Sequence, residues 1–388
     1  MAENFSNNIK YIGVDDLDID LFEGQYKVPE GMSYNSYLIL DEKVAVMDTV
    51  DARKTSDWLA NLKKELSART PDFLIVQHME PDHAGSITAF TEQYPNAQIY
   101  CTAQAVKMFP QFFDGVDFSG KLNAVKEGDT LALGQHILSF IMAPMIHWPE
   151  VMMTYEQSEK VLFAADAFGK FGALSKYDGD WACEARRYYF NIVGKYGVQV
   201  QNLLKKAANL DIKTICPLHG PVLTENLEYY IGIYDTWSKY EPENEGVLVA
   251  YATFHGGTAE AAKKMAEILK AKGAKKVAIA DLNRDDLHEA VEDAFRYNAM
   301  VIAAPTYDGN MSPAMHDFLH HLQLKTYQKR RVGIIENGSW APVSGRIMRA
   351  MLEEMKNIEI VDTVVTIKSR MKKTDIASLE QLADAILK

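Results

Sequence analysis

DFLIVQHMEPDH, Asp72–His83, is an apolar run that ends in four side chains able to hold a metal ion: His78, Glu80, Asp82 and His83. The run is nearly continuous rather than alternating, as expected for a short strand buried on both faces. If the chain stays extended past it, residues 78, 80 and 82 point the same way, with His83 beside them. Four such groups at the end of a buried strand are costly unless they bind one another or a cation. A self-satisfied polar network is the bland alternative. Against it stand three more residues in similar settings: His147 in MIHWPE, Asp166 in LFAADAF and His219 in CPLHGP, each at a strand end before a turn. Seven ligand-type groups are too many for one tetrahedral metal and suit two.

Outward from that stretch, the first half reads as short strands with turn signals. These are Met32–Leu40, Lys43–Val50, Asp72–His78, Ala97–Cys101 and His136–Pro144, with helices such as Ala52–Leu66 between some of them. A helical stretch, Glu225–Tyr240, runs into EPENEG (Glu241–Gly246), which is charged, contains proline and ends in glycine. Such a segment marks a domain boundary, and we place the domains at 1–245 and 246–388. Beyond it strands and helices alternate. Strands are expected at Val247–Ala252, Lys276–Asp281, Ala299–Ala304, Arg331–Glu336 and Ile360–Ile367. Helices are expected at Thr258–Ala271, Asp286–Tyr297, Ser312–Leu324, Ser344–Lys356 and Thr374–Leu387. This alternation specifies a parallel, doubly wound α/β sheet.

Three strand-end loops of that second half suit a phosphate and a flat ring. The first is TFHGGT: Thr253, Phe254, His255, Gly256, Gly257 and Thr258. Its glycines let the backbone wrap an anion at a helix N-terminus. The second is PTYDGN (Pro305, Thr306, Tyr307, Asp308, Gly309, Asn310) and the third NGSWA (Asn337, Gly338, Ser339, Trp340, Ala341). Both lie where open α/β sheets bind ligands, and each offers an aromatic face. A plain helix cap and surface packing are the bland alternatives for any one loop.

The 388 residues are 47% apolar and 24% charged, with a net charge of −12. Nucleic acid is therefore not an expected partner. No apolar run approaches the roughly 20 residues that a bilayer span requires, and MAENFSNNIK lacks the pattern of a signal peptide. Cys101, Cys183 and Cys216 offer neither a disulfide framework nor a CxxC knuckle. A cytoplasmic location is expected.

The second half resembles flavodoxin, which implies FMN as the ligand of the three loops. The first half resembles the metallo-β-lactamase superfamily, whose hallmark is HxHxDH, except that Glu80 stands at the second histidine. That arrangement, with His147, Asp166 and His219 in the phrases MIHWPE, ADAFGKFGA and PLHGP, is similar to flavodiiron proteins along essentially the whole chain. An added carboxylate favours a harder ion such as iron over zinc.

The resemblance implies a metallo-β-lactamase-like αββα sandwich followed by a flavodoxin-like five-stranded sheet. It further implies an oxidoreductase that reduces O2 to water or NO to N2O at two non-haem irons, with electrons relayed through FMN. One iron would be held by His78, Glu80 and His147, the other by Asp82, His83 and His219, with Asp166 bridging. A rubredoxin-like donor and a head-to-tail homodimer, or a dimer of such dimers, are implied as partners. Tyr188, Tyr189 and Tyr196 match a region that lines the iron pocket in relatives, so a phenol there could donate a proton or hydrogen bond; ordinary core packing is the alternative. Trp148 lies either near a partner's flavin or in packing. Two rivals are a zinc-dependent hydrolase fused to a flavodoxin domain and an electron carrier with an inert first domain.

Overall fold

The computed structural model describes residues 6–388; Met1–Phe5 of the N-terminal decapeptide lie outside the described residues. The described residues form two compact units, 6–189 with Val198–Asp235, and Phe190–Gly197 with Thr236–Lys388.

The first unit is built on two sheets. One runs Ile9–Tyr11, Tyr37–Leu40, Val44–Met47, Phe73–Ile75, Gln98–Thr102, Leu122–Val125, antiparallel across its first two pairings and parallel across the rest. The other runs Thr130–Ala132, Ile137–Met142, Met152–Glu156, Val161–Phe163, Thr214–Cys216, and only its last pairing is parallel. Their inner faces share one core, in which Tyr37, Ile39 and Met47 meet Phe140, Met152 and Phe163. Helices cover the outer faces. Thr55–Leu66 buries Trp58, Leu62 and Leu66, and Val200, Leu203 and Ala207 of Gly197–Ala207 line an apolar cleft with Ile141, Met153 and Ile215. The architecture is an αββα sandwich of metallo-β-lactamase type.

Two expectations for this half need correction. Met32–Leu40 is two strands, Met32–Tyr34 and Tyr37–Leu40. The break lets Asn35 donate to the carbonyls of Pro217 and Gly220, both at 2.8 Å, and Ser36 to that of Asp48. Tertiary hydrogen bonds override the strand tendency there. The extended conformation also stops at Glu80 (φ −61°, ψ 139°), after which Pro81 opens the short helical turn Pro81–Ala84. Proline is suited to that first position. Residues 78, 80 and 82 therefore do not form one extended row.

In the second unit five strands pair in parallel in the order Val277–Asp281, Asn244–Tyr251, Tyr297–Tyr307, Arg331–Asn337, Glu359–Ile367. This is the flavodoxin-like order, with its switch point between the strands Asn244–Tyr251 and Tyr297–Tyr307. The helices Gly257–Ala271, Leu287–Arg296, Pro313–Leu324, Ser344–Glu353 and Ile376–Ile386 follow the strands. Strand Asn244–Tyr251 begins inside EPENEG, irregularly paired between Asn244 and Val247. The PTYDGN loop is a hairpin: Tyr297–Tyr307 extends past Ala304 and pairs antiparallel with Asn310–Met311. Asp308 (φ 49°) and Gly309 (φ 70°) make the turn, the left-handed pair that a tight hairpin prefers. Among the described residues no helix is long and apolar enough to cross a membrane.

Candidate metal centre and flavin loops

Each of the seven predicted ligand-type side chains leaves a strand end or the turn after it, and all are at least nine-tenths buried except Glu80, whose side chain is 12% exposed. They fall into two groups, His78, Glu80, His147 and Asp166, and Asp82, His83 and His219; within each group the ligand atoms lie within 4.8 Å of one another. Phe73–Ile75 delivers His78, and the helical turn that replaces the expected extension carries Asp82 and His83 to the second group. Asp166 follows Val161–Phe163 through Ala165, whose φ of 47° turns the chain sharply.

Asp166 divides its two oxygens between the groups. Oδ2 lies 3.2 Å from His78 Nε2 and 3.3 Å from His147 Nε2; Oδ1 lies 3.1 Å from His83 Nε2 and 3.7 Å from His219 Nε2. Glu80 Oε2 lies 3.2 Å from His78 Nε2 and 3.0 Å from His147 Nε2, and Asp82 Oδ2 lies 3.3 Å from His83 Nε2 and 3.2 Å from His219 Nε2. Imidazole nitrogens and carboxylate oxygens thus converge on two adjacent points. Both oxygens of Asp82, both of Asp166, both ring nitrogens of His83 and Nε2 of His219 are buried without a hydrogen-bond partner. Native interiors rarely leave so many polar atoms unpaired, and cations at the two points would satisfy them.

The same groups perturb one another's titration. Burial alone would lower His78, yet Asp166, Glu150 and Glu80 hold it well above the ordinary histidine value. His147, likewise opposed by burial, is pushed up to about 9 by Asp166 and Glu80. Asp166 is buried, which would raise it, but His83, His78 and His147 hold it well below the usual carboxylate range. These opposed shifts record the mutual attraction of imidazoles and carboxylates packed together away from water.

Supporting groups orient the rings. His78 Nδ1 is 2.8 Å from Glu150 Oε1, which also accepts the Met79 N–H at 2.9 Å. His219 Nδ1 donates to the Ser33 carbonyl at 2.7 Å. Each contact aims Nε2 into the site, the usual division of labour in metal-binding histidines. Asp48 accepts the backbone N–H and the side-chain amide of Gln77 at 2.7 and 2.9 Å, anchoring the end of the strand, and burial pushes its carboxyl up to about 6. Sequence reasoning singled out none of Ser33, Asp48 and Glu150. Only Glu150 carried a signal, as a carboxylate three residues after His147.

Aromatic rings wall the centre. Trp148 stands edge-on to His78 with centroids 5.3 Å apart, and Phe22 edge-on to His219 at 5.5 Å. Of the three tyrosines, Tyr188 reaches the ligand cluster: its ring is 5.5 Å from that of His219, and its hydroxyl makes no hydrogen bond among the described residues. Burial, then Asp166 and Glu80, hold its phenol well above the ordinary value. Tyr189 sets its ring against Tyr234 at 5.0 Å. Adjacent residues of a helix point about 100° apart. Tyr196, half-buried, belongs to the second compact unit.

In the second unit the three loops come to the carboxyl ends of neighbouring strands. The N–H groups of Gly256 and Ala259 converge on Thr253 Oγ1 at 3.1 and 3.4 Å. Gly256 caps the following helix in the left-handed conformation (φ 83°), and a Cβ on Gly257 would sit 2.1 Å from the Ser369 carbonyl oxygen. Asn337 ties the third loop to the first, donating to Thr258 Oγ1 at 3.2 Å and to the Ser369 carbonyl at 3.0 Å. Thr306 Oγ1 accepts the N–H groups of Val343 and Ser344 at 2.9 and 3.2 Å. Phe254, Tyr307 and Trp340 are 44%, 47% and 92% exposed, and the rings of Phe254 and Tyr307 approach to 5.1 Å. Three large exposed rings on one set of loops form an apolar surface that suits a flat ligand. His255, Asp308, Gly309, Asn310, Ser339 and Ala341 are also exposed, Pro305 and Gly338 partly so.

Comparison with known proteins matches this architecture. Residues 32–220 fit the family described as ODP family beta lactamase and residues 248–376 a flavodoxin domain. The anaerobic nitric oxide reductase flavorubredoxin of Vibrio vulnificus is 30% identical over 88% of this chain and 70% of its own length. The chain belongs to the flavodiiron family. An uncharacterised protein of Methanocaldococcus jannaschii is 32% identical over 83% of this chain and 82% of its own. Among solved structures, rubredoxin oxygen:oxidoreductase from Desulfovibrio gigas superposes with a TM-score of 0.92 at 25% identity, covering 100% of this chain and 98% of that one. The flavodiiron protein of Giardia intestinalis shares the fold, at 22% identity and a TM-score of 0.91, over 100% and 97% of the two chains.

Proposed function

We propose that this flavodiiron protein reduces O2 to water or NO to N2O at a non-haem diiron centre, with electrons relayed through FMN from a small rubredoxin-like donor. The observation that carries the reading is the division of Asp166 between two converging ligand groups in a chain that also holds a flavodoxin unit. His78, Glu80 and His147 would hold one iron, and Asp82, His83 and His219 the other. The orphaned donors of Asp82, His83, Asp166 and His219 fit that role. When bound, the two irons and the flavin together supply the electrons for reducing either gas.

The chain's own part is positional. Asp166 would set the spacing of the two metal positions, and Glu150 and the Ser33 carbonyl would hold the tautomers of His78 and His219. Phe22, Trp148 and Tyr188 exclude bulk water. Tyr188, kept protonated by burial and the nearby carboxylates, would donate a hydrogen bond to the reacting gas. In the second unit the backbone of Thr253–Thr258 would hold the FMN phosphate. Residues Pro305–Asn310 and Asn337–Ala341 would enclose the ring, Tyr307 and Trp340 supplying aromatic faces.

We place the functional division at 245/246 and the protein in the cytoplasm, the latter supported by three cysteines that form no disulfide. Electron transfer between flavin and metals falls off steeply with distance, so we also propose a head-to-tail homodimer in which each flavin serves its partner's irons. A zinc-dependent hydrolase is the less supported reading, because Glu80 adds a hard carboxylate donor.

The test is anaerobic stopped-flow of the fully reduced, iron- and FMN-loaded protein against O2 and NO separately, with turnover counted. Rapid oxidation of flavin and irons by at least one gas is expected. Inertness towards both, with stoichiometric zinc in protein purified without oxygen, would overturn the reading.

A further inference from the structure

Ten histidines occur in the chain, and four of them belong to the metal centre described above. Of the remaining six, four gather on two helices of the second unit, Leu287–Arg296 and Pro313–Leu324. His316 and His320 lie one helical turn apart, exposed, their rings nearly parallel at 18° with centroids 6.4 Å apart. His321 is next, 6.5 Å from His320, and His288 of the neighbouring helix is 5.6 Å from His321. Asp317, also one turn from its partner, places Oδ1 3.9 Å from His321 Nε2.

We infer that this face is a second metal site, chelating a borderline divalent ion such as Zn2+ or Cu2+ through His316 and His320. Side chains at i and i+4 of a helix stand close enough to meet one ligand. Small rotations of two exposed rings bring their nitrogens onto a single ion without moving the backbone. Packing does not account for the pair, since both rings lie in solvent. Neutral imidazole is the preferred donor for zinc and copper, whereas the hard ions Mg2+ and Mn2+ favour carboxylates and water. His321 and Asp317 stand about 100° round the helix from that pair and face one another, so water completes the coordination of an ion held by His316 and His320. The site differs in kind from the diiron centre, having two imidazoles, no carboxylate and an exposed position. The inference stands independently of the gas chemistry.

The iron- and FMN-loaded protein is titrated with Zn2+ alone by calorimetry and, in a second series, with Cu2+ followed by electron paramagnetic resonance. One ion per chain beyond the iron content is expected, with nitrogen hyperfine structure on the copper signal and no comparable binding of Mn2+. His316→Ala and His320→Ala singly weaken that binding by about a hundredfold, the loss expected when two linked donors become one. The double variant abolishes it. Iron content, flavin content and gas turnover stay at the parent level, which also reports an intact fold. His321→Gln, on the neighbouring face of the helix, leaves that binding unchanged. The proposal is overturned if the parent binds no extra ion, or if the double variant binds it undiminished.

Discussion

In the first unit the candidate site consists of buried side chains, seven ligand-type groups drawn from four separate segments onto two adjacent points. In the second it consists mainly of backbone and exposed rings, on loops where glycine conformation and close approach decide the shape. The two should therefore fail differently. A site made of side chains is lost by removing an atom that coordinates. A site made of backbone tolerates side-chain removal and is lost by adding an atom where the chain must close.

Asp166→Ala should have the largest effect, because it withdraws an oxygen from both ligand groups at once. Iron content is expected to fall at both positions and gas turnover by about a thousandfold or more, given the several kcal/mol a catalytic metal supplies. FMN content and its reduction by a donor should be unchanged. Iron analysis alongside flavin absorbance checks this, and retention of full iron would break the contrast between the two sites.

Gly257→Ala is the mirror experiment. A Cβ 2.1 Å from the Ser369 carbonyl cannot be relieved by a side-chain rotation, so the loop or its partner strand must shift. Overpacking of this kind costs about 3 kcal/mol, or about a hundredfold in FMN affinity. Fluorescence titration of flavin-free protein measures it, with iron content as the control expected to stay constant.

Glu150→Gln sharpens the account of the first unit, since it keeps shape but weakens the acceptor that orients His78. Loss of such a supporting contact lowers metal affinity by about 10–100-fold, measurable by competition with a chelator, while the FMN titration should not move. Tyr188→Phe should be milder. Removing one hydrogen bond costs about 1 kcal/mol, or about fivefold in gas turnover, with iron content intact. An equal loss in Tyr189→Phe would show that the two hydroxyls are not distinguished by the direction their rings take.

The same division explains what could be read from residues alone. Strand and helix alternation after Gly246 was legible in order and type, with element ends off by as much as three residues, because parallel strands buried on both faces are continuous apolar runs punctuated by loops. The seven ligand-type groups were legible because histidine and carboxylate at buried strand ends have few other uses. Their sorting into two groups did not follow from the spacing of HMEPDH. Extending the chain past Glu80 would have sent 78, 80 and 82 to one point, and Pro81 diverts it into a helical turn instead. The break at Asn35 and the supporting roles of Asp48 and Ser33 were invisible for another reason. Each depends on a partner far along the chain: residues 217 and 220 for Asn35, Gln77 for Asp48 and His219 for Ser33. Such contacts leave no local pattern.

His255 gives the smallest expected effect and the finest test of the comparison. It lies inside the loop proposed to hold the FMN phosphate, exposed, with a ring that a ligand map drawn from residue type would rank first. A backbone site makes little use of it. His255→Ala should leave FMN affinity within about twofold, the range of surface substitutions that remove no packed or paired group. Its neighbours Gly256, at φ 83°, and Gly257 carry the loop's shape instead. Should the flavin titration of His255→Ala weaken as much as that of Gly257→Ala, the loop recognises phosphate through an imidazole charge. The distinction between a side-chain site and a backbone site in this protein would then fail at its second half.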